Sequence, residues 1–252
     1  MTGALTLHSP VVFFTGAGIS VGAGLPTYRG SAGLYTSTAV EPPTAHDVTP
    51  ERLPALWQRF KPRIMSPVEL APSSAHRAIA ALERGGAAVS VVTQNVDGLH
   101  TQAGSTAVME LHGSLRNVRC MAANHRSTFA ATNWDGNDCP KCPACQAPVR
   151  PDVVLFGEAL DPHTWAEAEA SIRQAATIVA VGTSGLVRPA VGLIRDAVNP
   201  GAIRIWVNPE TPPPSASWEW VQVDADDAAG LLVAPTPHSR QTGHHALDGD
   251  RA

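Results

Sequence analysis

The sequence predicts an α/β fold: an open parallel sheet with helices on both faces, carrying a smaller lobe. Three observations predict it. Short apolar runs recur along the chain, helix signals fall between them, and two stretches of different composition interrupt the alternation. A chain of 252 residues suits one large domain with an insert and can bury a sizeable core.

The first run, Val11 to Phe14, passes directly into Thr15-Gly16. Ala87 to Val92 passes into Thr93-Gln94-Asn95, Thr177 to Val181 into Gly182-Thr183-Ser184, and Ile203 to Val207 into Asn208. Strands apolar on both faces belong inside a parallel sheet, and their C-terminal ends carry the polar groups. Between them, Ser74 opens a helical run through Leu82 that stops at Gly85-Gly86. Asp161-Pro162 is a capping residue followed by proline at the first helical position, and Pro189 to Val198 supplies another helix. This alternation makes the sheet Rossmann-like, and such sheets bind ligands at the carboxyl ends of their strands. All four polar clusters are therefore expected along one crevice.

Residues 1-29, 85-113 and 149-233 are assigned to the Rossmann-like domain. Residues 30-84, rich in proline, form a helical insertion, and 114-148 hold all four cysteines. The two together form the small lobe over the crevice. From 234 to 252 the composition turns to Pro, Thr, His, Gly and Asp, which bury too little apolar area to offset ordering entropy. That segment is expected to be a disordered tail.

A formal net charge of −4 provides no global positive field, so direct nucleic-acid binding is not expected. Met1 to Pro10 lack a basic segment followed by an apolar one, and no apolar run approaches the roughly 20 residues of a membrane span. The expectation is a cytoplasmic protein without membrane association. Cys139, Cys142 and Cys145 lie close together, a spacing that suits a metal better than disulfides in a reducing compartment.

Gly16-Ala17-Gly18-Ile19-Ser20 follows the first strand, where glycines let the backbone approach a pyrophosphate. The third glycine of a dinucleotide fingerprint is displaced to Gly22, so a plain strand-to-helix turn is the competing reading. Tyr28 and Arg29 follow, an aromatic ring able to cover a planar group and a guanidinium able to hold phosphate. Gln94, Asn95 and Asp97 end the second strand, and His112 follows in Glu110-Leu111-His112-Gly113-Ser114. An amide can pair with a carboxamide, and histidine moves protons near neutral pH. Taken singly, Asn95 and Asp97 also read as turn formers and His112 as a structural histidine.

Together these strings resemble the sirtuin family, the NAD-dependent protein deacylases, from about Val11 to about Gly230. GAGIS, GLPTYRG, TQNVDGLH, ELHGS, RPDVVLFGE (Arg150 to Glu158), GTSGLVRPA (Gly182 to Ala190) and Val207-Asn208 stand in the family's order. The resemblance implies a protein-lysine deacylase that consumes NAD, with acyl-lysine-containing proteins as partners. It implies cofactor contacts from Gly16, Ala17, Gly18, Ile19, Tyr28, Arg29, Gln94, Gly182, Thr183, Ser184 and Asn208. Of these Ile19, together with Asn95 and Asp97, would sit at nicotinamide and its ribose, with His112 as general base. The implied chemistry is attack of the acyl oxygen on C1′ of the nicotinamide ribose, loss of nicotinamide, and acyl transfer to a ribose hydroxyl helped by His112. Val153, Val154, Phe156 and Gly157 match the strand that pairs with substrate peptide, with Leu155 where tryptophan is usual. An ADP-ribosyltransferase or a non-catalytic NAD-binding protein is the alternative function.

The resemblance also implies one structural zinc held by two C-x2-C knuckles. Cys142 and Cys145 match the second knuckle; the first keeps Cys120 but has Ala123 in place of its partner. Cys139 is expected to supply the missing thiolate, with His125 as the other candidate. Some sirtuins acting on succinyl- or malonyl-lysine carry a Tyr-x-x-Arg pair; Phe60 and Arg63 stand at those positions here. Arg63 keeps a donor for an acyl carboxylate, whereas Phe60 lacks the hydroxyl.

Overall fold

The computed structural model describes residues 3–28, 33, 41–64, 70–123, 125–129, 134–196, 198–232 and 236–237. Its main sheet has six parallel strands. In chain order they are β2 (Val11–Thr15), β3 (Val89–Thr93), β4 (Val108–Glu110), β8 (Thr177–Val181), β9 (Ile203–Val207) and β10 (Glu219–Val221). Their order across the sheet is β10-β9-β8-β2-β3-β4, all pairs parallel. The chain winds outward from β2 to one edge, then returns to β8 and winds to the other. The winding reverses between β2 and β8, the place where a doubly wound sheet opens its crevice.

Alternation within each strand feeds two cores. Val11 and Phe13 point to one face with Val179, Val181 and Ile205; Val12 and Phe14 point to the other with Ile178, Ala180 and Trp206. On the first face lie α2 (Ser74–Arg84) and α6 (Ala225–Ala229); on the second lie α4 (Pro162–Gln174) and α5 (Val191–Asp196). The Asp161 cap is the one the sequence announced, while α2, read as opening at Ser74, is capped by Ser73. Asp161 accepts from the His163 and Thr164 amides, and Ser73 accepts from the His76 amide. A short α3 (Leu99–Ala103) starts at Gly98, just past the end of β3.

The small lobe contains α1 (Leu53–Ile64) and an antiparallel sheet, β6-β5-β7, of β5 (Gly113–Cys120), β6 (Arg126–Thr128) and β7 (Val149–Val153). Trp57 of α1 anchors the helix: it is buried, donates to the Val149 carbonyl at 2.8 Å, and packs on Phe129 and Trp134. Asp152 binds both Arg119 (2.7 Å) and Arg126 (2.8 Å), and Arg126 reaches on to Asp161 at the start of α4. That chain of charges joins the two lobes.

Two expected boundaries move. Helix α2, placed with the insertion, buries Ala75, Ile79 and Leu82 against the main sheet and so belongs to the large layer. Strand β7, placed in the large domain, pairs with β5 instead. Within the expected tail, β11 (Thr236–Pro237) pairs in parallel with β1 (His8–Ser9), so order extends past residue 234; the rest of the tail lies outside the described residues.

Candidate active site

β2 and β8 end side by side, Thr15 opposite Val181, and the chain leaves both strands through glycine. The Gly18 amide donates to the Gly182 carbonyl at 2.8 Å. A Cβ on Gly18 would lie 2.6 Å from Gly182 Cα, and Gly182 has φ +61° with the Ile19 nitrogen 2.4 Å from where its own Cβ would be. Glycine is demanded here by backbone touching backbone at the switch point. A seven-residue 3-10 helix, Ala17–Ala23, follows where an ordinary helix was expected. It turns Ile19 downward: Ile19, expected at nicotinamide, is fully buried in the core, with its carbonyl accepting from the Ser73 hydroxyl.

Above this floor is a polar triangle. Asn95, 4% exposed, donates through Nδ2 to the Gly16 carbonyl (3.2 Å) and the Ser20 hydroxyl (3.1 Å). Ser20 donates to Asp97 Oδ2 at 2.8 Å, while Asp97 Oδ1 accepts from the Leu99 amide. Both amide hydrogens of Asn95 are committed, so its carbonyl oxygen is the group it can offer a ligand. Ser20 was not singled out from the sequence. Its role comes from a partner 77 positions away, and only its place at the end of the glycine string hinted at it.

Asn95, Asp97, Ser20, Ala17, Tyr28 and Arg63 line a cavity of about 190 Å³. Whole-ligand pockets span roughly 300–1,000 Å³, so this is one subsite and not a berth for a whole dinucleotide. Arg63 places its guanidinium carbon 5.3 Å from the centre of the Tyr28 ring. Phe60, expected beside it as a substrate contact, does not face the cavity. It is buried with Leu53, Leu56, Val153 and Leu155.

His112 stands outside the wall of that cavity and is joined to it through Gln94. Its Nδ1 lies 2.9 Å from the Gln94 carbonyl oxygen. A carbonyl only accepts, so Nδ1 carries the proton and Nε2 of the neutral ring keeps its lone pair. Burial holds the imidazolium below its ordinary range, opposed by that hydrogen bond. The Gln94 side chain donates to Thr183 Oγ1 (3.1 Å), and Asn208 Nδ2 donates to the Thr183 carbonyl (3.0 Å). Gln94, Gly182, Thr183 and Asn208, with half-buried Ser184, thus form one rim along the strand ends. Arg29 lies outside the described residues.

Beneath the floor, Thr15 Oγ1 donates to Thr93 and contacts His100 Nε2 at 3.0 Å, and His100 meets His76 edge-on at 4.5 Å. Burial pushes His76 down to about 4 and His100 well below its usual value. Toward the small lobe, the Val154 amide donates to the His112 carbonyl. Phe156, half exposed, gives its amide to Pro43 and its carbonyl to the Ala45 amide. A peptide adding a strand alongside Val153, Val154, Phe156 and Gly157 therefore meets a main chain already paired at Phe156.

The thiols divide. Cys120, Cys142 and Cys145 hold their sulfurs within 4.8 Å of one another, which suits a structural zinc. Cys139, expected as a ligand, is outside this group: its sulfur is directed to the Val149 carbonyl at 3.4 Å, and burial pushes the thiol up. The C-x2-C spacing from Cys139 to Cys142 does not bring the two sulfurs into one group, since only Cys142 lies with Cys120 and Cys145.

Fold and site define a doubly wound α/β protein with a polar cluster at its switch point and a thiol-bearing lobe above it. Residues 16–189 match the model of the Sir2 family, and the chain belongs to that family. A protein of Thermus thermophilus named NAD-dependent protein deacylase is 39% identical over 246 residues, covering 93% of each chain. A solved Sir2 homologue in complex with NAD superimposes with a TM-score of 0.74 at 35% identity, over 88% of this chain and 87% of that one. A Sir2 complex with a p53 peptide and NAD+ gives 0.68 at 30% identity, over 87% and 90%.

Proposed function

We propose that this chain is an NAD-dependent protein-lysine deacylase, transferring the acyl group of an acyl-lysine side chain to ADP-ribose and releasing nicotinamide. The family, and relatives of nearly the same length that carry that name, support the activity. The observation that carries the residue assignment is the His112 to Gln94 hydrogen bond, which leaves a neutral base with Nε2 free to take a proton.

NAD, when bound, supplies an electrophilic ribose carbon and a leaving group. The protein's residues do the rest. The Asn95 carbonyl oxygen would accept from the carboxamide of nicotinamide, and Asp97, held by Ser20 and the Leu99 amide, would orient the ribose end. Positioning matters because a weak neutral nucleophile traps a developing ribose cation only when held in line and away from water. Gln94, Thr183 and Asn208 would hold the remainder of the dinucleotide, and His112 would take the proton of the hydroxyl that receives the acyl group. Arg63 on the cavity wall favours acidic acyl groups, so we expect desuccinylation or demalonylation beside deacetylation.

Incubation with NAD and an acetyl-lysine peptide, followed by mass spectrometry, should yield nicotinamide and acylated ADP-ribose together. ADP-ribose appearing on protein with no acylated product would point to the transferase alternative. Comparing acetyl- and succinyl-lysine peptides with Arg63→Ala tests acyl choice; an unchanged succinyl rate would remove Arg63 from the account.

A further inference from the structure

We propose that His125 is the fourth ligand of the zinc site, so that this chain holds its metal with three thiolates and one imidazole where a second cysteine is missing at Ala123. Three observations place it there. His125 Nε2 lies 3.1 Å from the Cys142 sulfur, and Cys120 and Cys145 sulfurs are 3.5 Å apart. Zinc bonds of about 2.3 Å to sulfur and 2.0–2.1 Å to nitrogen put tetrahedral ligands about 3.5–3.8 Å from one another; His125 meets that spacing at Cys142 but is not within 4.8 Å of all three sulfurs, so its ring must turn toward Cys120 and Cys145 to close around an ion. The second observation is the path of the chain. β5 and β6 pair Arg119 with Arg126, and the Cys120 amide donates to the His125 carbonyl at 2.9 Å. The turn on which a cysteine at position 123 would sit therefore brings residue 125 beside Cys142. Thirdly, Cys139 has its sulfur against the Val149 and Pro140 carbonyls, away from the three grouped thiols.

The exchange has a chemical consequence. A neutral imidazole in place of a thiolate leaves the filled site with one negative charge instead of two. It also replaces an oxidisable sulfur at the position nearest the hairpin turn. The inference concerns the metal alone and holds whether or not the deacylase reading does.

The test reads metal, not activity. X-ray absorption on the wild-type zinc-loaded full chain should show three sulfurs and one nitrogen around zinc; four sulfurs would overturn the proposal, as would a chain that takes up no zinc. In competition with a chromophoric zinc chelator, His125→Ala should weaken zinc at least about tenfold. His125→Cys should restore binding and, with cobalt in place of zinc, shift the visible bands toward those of a four-thiolate site. Cys139→Ser should bind zinc as the wild type does; its loss of zinc with His125→Ala unaffected would assign the ligand to Cys139 instead. Should His125→Ala fail to fold, the absorption measurement on the wild type still decides.

Discussion

At the scale of single residues, the base and its tautomer are the most exposed claim. His112→Ala should lower deacylation by about 10²–10⁴-fold, while calorimetry finds NAD binding nearly unchanged; equal loss of both would make His112 a structural residue. Because burial depresses the His112 imidazolium below 6.5, the ring is already a free base at neutral pH. Activity is therefore lost only as pH falls below that value, and kcat/KM should be flat from pH 7 upward with its acid limb under 6.5. A limb above 7 would contradict the assignment. The placement of Asn95, Asp97 and His112 around the strand ends was legible because polar side chains after apolar runs stand out. Ser20 was not, since a hydroxyl acquires meaning only from the carboxylate it meets, and Ile19 showed that neighbours in a motif can face opposite ways. Cys139 misled for a related reason: spacing shows which thiols can reach a metal, not which way they turn.

Elements carry predictions of their own. Ser73 caps α2 and also ties the glycine turn through the Ile19 carbonyl. Ser73→Ala should cost about 1–2 kcal/mol, the upper part of the range for a lost cap, measured by urea denaturation. Gly18→Ala should do worse, since its Cβ meets rigid backbone at Gly182; loss of thermal stability together with NAD binding is expected, and a stable variant that binds normally would argue against the contact. Strand β8 was read to the residue because hydrophobic side chains fill both its faces, and β9 because only Arg204 interrupts its apolar run. The three-residue edge strands β4 and β10 were too short to show any period. Phe60 could have been placed correctly: Leu53, Leu56, Trp57 and Phe60 form one stripe at helical spacing, which makes Phe60 a core residue; Arg63 continues that stripe in the last turn, where its long stem carries the guanidinium out to Tyr28.

For the whole molecule, stability should depend on pH through the buried histidines. His76 and His100 bind protons less readily folded than unfolded, so the unfolded state gains protons first as pH falls below 6.5. Stability should hold above that value and decline down to about pH 4, each unit of depression being worth about 1.4 kcal/mol. Urea midpoints at several pH values will show it; a midpoint unchanged between pH 7 and 5 would refute it. The joint between lobes gives a second expectation. Asp152→Ala strips Arg119 and Arg126 of a nearly buried partner, yet both arginines keep some water. The cost should be about 2 kcal/mol, below the 3–5 of a fully buried pair, with zinc retained. The two-lobe plan was legible from composition. The boundaries were not, because α2 and β7 each took the side on which their apolar faces or main-chain groups found partners.

One consequence follows from the place of Gln94. Its side chain faces Thr183, but the group that fixes the proton on His112 is its main-chain carbonyl, which every amino acid possesses. Substitution at position 94 can retune the grip on the dinucleotide without readdressing the proton. The ring's orientation is thereby insulated from mutation at the residue that sets it; on the proposed reading, cofactor affinity can drift while the base stays ready.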